Sequence, residues 1–257
     1  MTRRNIRLLV ALLILAVLCL CASAASALTV PESADYVERS WNGTQVVSET
    51  KTVTAVPVPS NGNMTSGWYI LNSNVTKSGR VESITGDVHL ILGDGCTLDV
   101  KGLYVPAGTT LTIYGQSAGT GRLYSHPSGG AAIGGYKDHD NGRIVIHGGI
   151  IDAYGYDNCA GIGSNSRRTG DAIFIYGGDI TAKGGSDGAA IGGGKNCSGG
   201  DITIYGGTIT ANGPTDSDTC ENGAGIGGGN EGSGGNIDIF GGEITTYSRD
   251  GAGIGGG

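Results

Sequence analysis

The residues of this chain whose type and spacing could do chemistry are aromatic. His147, Tyr176, Tyr205 and Phe240 each stand immediately before a Gly-Gly pair, at 148–149, 177–178, 206–207 and 241–242. Tyr114 holds the equivalent place before Gly115. Stacked in one column, the five rings would lie at steps of about 4.8 Å. Apolar sugar faces pack on such rings while nearby Thr and Asp side chains bond sugar hydroxyls. The same column also reads as a structural ladder that braces a corner. Period-two alternation leaves both readings open, because the Gly pair can rotate the preceding residue either way.

Other chemistries fare worse. Polysaccharide cleavage needs paired carboxylates, or calcium with a basic residue, on neighbouring outward positions. The outward column Val145, Phe174, Thr203, Asp238 carries one acid, and so does Asp152, Thr181, Thr210, Thr245. Arg167 and Arg168 fall in one unit only and form no repeated pairing with an acid. Gly223 to Gly228 fits GxGxxG by letter, but its cousins recur in every unit and open no helix. Gly194-Lys195-Asn196 lacks the Ser or Thr of a phosphate-binding loop. Asp138, His139 and Asp140 cluster in one turn only, which reads as a solvated loop, whereas calcium-binding repeats return the same oxygen ligands at a fixed period. No catalytic residue, no resident metal and no cofactor is expected.

The elements that must position the rings follow from internal repetition. The motif Ala-x-Ile-Gly or Ala-Gly-Ile-Gly places Ile at 133, 162, 191, 226 and 254. The first Gly of each pair always follows 15 residues later, at 148, 177, 206 and 241. The unit is 29 residues, lengthened once by a polar insertion, Pro214 to Thr219. Within it, apolar residues alternate with period two, as in Asp201-Ile202-Thr203-Ile204-Tyr205, with Gly turns between short strands. Three short strands per unit is one rung of a right-handed parallel β-helix. Ile144, Ile173, Ile202 and Ile237 then stack in an inward column, as do Ile146, Ile175, Ile204 and Ile239. A third column is Ile151, Ile180, Ile209 and Ile244. Burial of each Ile is worth roughly 1.5–3 kcal/mol, and no rung hides its apolar face alone.

Composition agrees. Of 257 residues 51 are Gly, far above the usual ~7%, and each Gly costs roughly 1 kcal/mol in a helix interior. An all-β solenoid is expected, not collagen, since Gly has no three-residue period and Pro numbers 6.

Residues 1–27 read as a secretory signal peptide: Arg3, Arg4 and Arg7, then the apolar run Leu8 to Leu20, then small residues ending at Ala27. The run is too short for a stable membrane anchor. Losing those three Arg leaves 13 basic residues against 23 acidic, a net charge of −10. That excludes a nucleic-acid footprint and stable insertion of the mature chain into a membrane. Cys96, Cys159, Cys197 and Cys220 remain after export. Their spacing fits no zinc motif and they read as small packing residues, with a disulfide as the lesser option.

The full division is 1–27 signal peptide, 28–65 extended lead-in, 66–128 N-terminal cap with first irregular rungs, and 129–257 regular rungs. The chain stops mid-repeat at Gly257, as expected of a piece of a longer repeat protein.

Three stretches carry a resemblance: Gly67-Trp68-Tyr69-Ile70, Gly86 to Leu98, and Leu111 to Ser117. With the Ile-Thr-Ile-Tyr-Gly-Gly and Gly-Ala-Gly-Ile-Gly units that follow, they resemble large secreted repeat proteins of gut and rumen Firmicutes. That resemblance implies an adhesin-like β-helix at the cell surface, continuing into further repeats, with glycans or other host or bacterial surface components as partners. The expectation is therefore a secreted structural or adhesin-like protein without catalytic activity. A carbohydrate-binding module using the aromatic column is the alternative, and a polysaccharide lyase or hydrolase a more distant one.

Overall fold

Alternation decides what lies inside each rung, and the rungs repeat it. The computed structural model describes residues 30–80, 84–136, 139–168, 170–214 and 222–257. The signal-peptide expectation for 1–27, most of the insertion after Pro214, Asp138 and Cys220 lie outside them. Pro31–Gly257 form one compact unit, and every regular element described is a β-strand.

Successive strands of one rung go to three different sheets. Arg143–Ile146, Ile150–Tyr154 and Ile162–Gly163 make one rung. Each pairs in parallel with its counterpart one repeat later: Ile144 with Ile173, Ile151 with Ile180, Ile162 with Ile191. The fold is a parallel β-helix. The inward columns run Leu111, Ile144, Ile173, Ile202, Ile237 and Leu123, Ile151, Ile180, Ile209, Ile244. A further column, Leu103, Ile133, Ile162, Ile191, Ile226, Ile254, comes from the motif isoleucines themselves. All but the last rung's members are buried, in one continuous apolar core.

Glycine is required at two recurring places. The second residue of each pair has positive φ, as at Gly178 (112°) and Gly207 (107°), which turns the chain between two sheets. The Gly after each motif Ile is tighter still. Gly163 has φ 134°, and a Cβ there would collide with the carbonyl oxygen of Gly192 one rung on.

Parallel rungs begin well before residue 129. Met64–Leu71, Ile84–Leu92 and Thr110–Gly115 already pair in parallel in the first sheet, with one register shift between Thr65 and Gly67. The lead-in is itself structured. Strand β1 (Glu32–Trp41) and strand β2 (Val46–Pro57) form an antiparallel hairpin, paired from Glu32 with Ala55 to Trp41 with Val46. Asn42 closes its tip, its Oδ1 accepting the Thr44 and Gln45 amides at 3.0 Å. The end of β2 then joins the first sheet beside Tyr69 and Ile70.

Candidate functional site

The rings before the Gly pairs do form one column. Tyr114 and His147 stack at 4.8 Å between centroids and 3° between planes. His147 and Tyr176 follow at 4.9 Å, Tyr176 and Tyr205 at 4.6 Å, Tyr205 and Phe240 at 5.2 Å. The steps equal the rung spacing because each ring sits on an equivalent outward position of the first sheet. A shorter cluster adjoins it, with Trp68 on His89 at 4.2 Å and His89 Nδ1 3.2 Å from the Tyr114 hydroxyl.

The column is not bare. β1 runs across successive rungs beside it. Tyr36 packs edge-on against Tyr114 at 4.8 Å. Arg39 reaches under the hairpin, its guanidinium donating to the His147 carbonyl and its chain lying against Gly177. Trp41 lies 5.6 Å from Tyr205 and 5.4 Å from Phe240. A second apolar cluster, Ala34, Tyr36, Ala55, Ile70, Ile91 and Tyr114, fills the space between hairpin and sheet. Exposure rises along the column, from the rings under β1 to the ring on the last rung. Tyr114 and His147 are buried, Tyr176 and Tyr205 half-buried, and Phe240 is 52% exposed.

Burial also sets the electrostatics. The His147 imidazole falls from 6.5 to about 4, chiefly through desolvation. Its Nδ1 lies 2.8 Å from the Arg39 carbonyl oxygen and 3.2 Å from the Arg39 amide nitrogen. Burial raises the Tyr114 and Tyr176 phenols and lowers the Arg39 guanidinium. These are the shifts of groups packed into a brace.

Beside the column, away from the hairpin, the outer face of the first sheet is open. A groove of about 740 Å³ crosses its last rungs, with Phe174, Thr203 and Asp238 on its floor and Arg143, Asp201 and Asn236 along its edge. The acids of the two outward columns considered above lie apart. Asp238 is exposed in this groove, whereas Asp152 is buried and paired with Arg122 on another sheet. Arg167 and Arg168 border a separate hollow of about 230 Å³ with Asn196, Cys197 and Ser198.

Cys159 and Cys197 are buried free thiols and Cys96 is half-buried. The Cys159 thiol donates to Asn165 Oδ1 at 2.7 Å and is pushed up to about 11 by burial. Cys197 Sγ accepts the Arg168 amide at 3.0 Å. Among the described residues no group of three His, Cys, Asp or Glu side chains could hold a metal ion.

Inspection of the repeats alone misses β1. Tyr36, Arg39 and Trp41 belong to no repeat, and their only signal is two aromatic residues in an otherwise Ser-, Thr- and Val-rich segment. It also misses the polar ties across the turns, where Asp187 accepts from Lys195 Nζ at 2.9 Å and from Asn230 Nδ2 at 2.6 Å.

Fold and site together define a parallel β-helix repeat protein. The family described as a β-helix repeat matches residues 144–166, 175–195, 202–230 and 233–257. No curated protein and no solved structure matches the chain.

Proposed function

We propose that this chain is an exported structural repeat protein of the cell surface or extracellular space, adhesin-like and without a catalytic centre. The observation that carries the reading is the clasped column. Rings that could otherwise pack on a sugar are here stacked on one another, and β1 buries those of the earlier rungs, Tyr114 and His147. Such packing stiffens a solenoid and suits a protein whose task is to hold a surface in place. The basic, apolar and small-residue order of residues 1–27 supports export.

Cell fractionation with N-terminal sequencing tests the location: mature chain beginning near Leu28 outside the membrane is expected, and full-length chain in the cytoplasm overturns it. Incubation with plant, mucin and bacterial polysaccharides should release no new reducing or unsaturated ends; release of either overturns the non-catalytic half.

A second reading, carbohydrate binding, rests on the end of the column, which Trp41 covers only in part. Tyr205 is half-buried and Phe240 exposed, so both rings keep surface that a sugar can reach.

A further inference from the structure

We infer that the groove on the outer face of the first sheet is the adhesive contact of this protein, and that it takes a glycan chain bearing no carboxylates. The inference rests on the surface-adhesive reading above and names its contact and ligand class.

Four observations converge. The groove lies along stacked rungs, so its side chains recur at about 4.8 Å. That step is close to the length of one pyranose residue in an extended polysaccharide, and neighbouring rungs therefore meet neighbouring sugars. Its floor offers an apolar side chain: Phe174 is half-buried, with the Arg143 guanidinium over one face of its ring, 5.7 Å from the centroid, and the other face left for a ligand. Apolar sugar faces pack on such a ring.

Around that ring stand hydroxyl-binding groups of both senses. The Thr203 hydroxyl, the Asn236 amide and the Asp201 and Asp238 carboxylates point outward from adjacent strands. Asn236 Nδ2 donates to Asp201 Oδ1 at 2.8 Å, which orients both side chains and leaves further lone pairs on the carboxylate.

The fourth observation is charge. Asp171, Asp201 and Asp238 face Arg143 alone among the groove's charged groups, and Arg143 already lies 4.0 Å from Asp171. The net field is negative. It accepts hydrogen bonds from sugar hydroxyls and repels uronate chains.

Affinity electrophoresis of the mature chain through gels containing xylan, mannan, a mixed-linkage β-glucan or polygalacturonate tests this. Retardation by at least one neutral polysaccharide is expected, with none by polygalacturonate. Phe174→Ala should weaken the retardation roughly tenfold, the scale of one lost aromatic contact, with an unchanged circular dichroism spectrum. Asp238→Asn keeps the shape of the groove and should relax the discrimination against polygalacturonate. Preference for polygalacturonate, or retardation by none of the four, overturns the groove assignment and leaves the exported structural role to its own test. Retardation that survives Phe174→Ala and disappears in Tyr176→Ala/Tyr205→Ala also overturns the groove, while leaving an adhesive role intact.

Discussion

His147 shows how a side chain is spent on packing. It sits in the middle of the ring column, under β1, with its Nδ1 on the Arg39 backbone and the Arg39 guanidinium on its own carbonyl. Adding a proton there would place a second cation beside Arg39 in a desolvated site. The unfolded chain accepts that proton near pH 6.5 and the folded chain only near 4. Between those values the unfolded state binds more protons, so stability falls as pH drops from 6.5 to about 4 and is constant below, a loss on the order of 3 kcal/mol from this residue. His147→Phe keeps a stackable ring and removes the titration. The difference in Tm between pH 7 and pH 4.5 should shrink in that variant, and an unchanged difference would mean that the imidazole is not desolvated. Gly163 illustrates a backbone requirement at the same scale. Its φ of 134° and the carbonyl of Gly192 leave no room for a methyl group. Gly163→Ala should destabilise by at least 1–3 kcal/mol, measured by denaturant midpoint, while an alanine tolerated without loss would contradict the tight stacking of the motif glycines.

The hairpin is the element that converts a repeated sheet into a braced one. The first half of β1 alternates, with Ala34 and Tyr36 turned to the sheet and Asp35 between them exposed, as expected for a strand half-buried on one side. Its contacts are aromatic and few, so single changes should be felt. Trp41→Ala removes the ring over Tyr205 and Phe240, a loss of roughly 1–3 kcal/mol from area and ring contacts. The circular dichroism of the rungs should be unchanged, because their ladders do not depend on β1. The chain has 2 Trp, and both belong to this region. In Trp68→Phe, Trp41 alone reports on the hairpin. Its fluorescence should shift to the red in a transition at or below the denaturant concentration that melts the rungs. A Trp41 that stays blue-shifted after the rungs have melted would show that the hairpin is not held by the column.

At the scale of the molecule, stability is the sum of stacking steps between neighbours. An inward position in a middle rung has an apolar neighbour above and below, as Ile204 has in Ile175 and Ile239. Ile204 is buried, whereas Ile239 on the last rung is 42% exposed. Ile204→Asp strands a carboxylate in a continuous apolar column and should cost several kcal/mol or abolish folding. Ile239→Asp leaves its carboxylate in reach of water and should cost much less. Melting curves of the two variants check the prediction; equal losses would mean that the core is not organised rung by rung.

What the sequence by itself determines here is whatever repeats. The fixed offset of 15 residues from motif Ile to Gly pair and the alternation around Ile202 and Ile204 define the rung. They define the inward columns and the alignment of Tyr114, His147, Tyr176, Tyr205 and Phe240 as well. Each is a consequence of local geometry, side-chain period two in a strand and positive φ at glycine, multiplied by stacking. The tertiary structure alone decides what covers that alignment. β1 is a single copy with no periodic signal. Its alternation fits any apolar face, and its docking joins Trp41 to Phe240, residues distant in sequence. Burial of Tyr114 and His147 and the lowered titration of His147 follow from the docking of the same strand through Tyr36 and Arg39. Ring spacing is a property of the repeat, whereas exposure depends on what the rest of the chain lays against it.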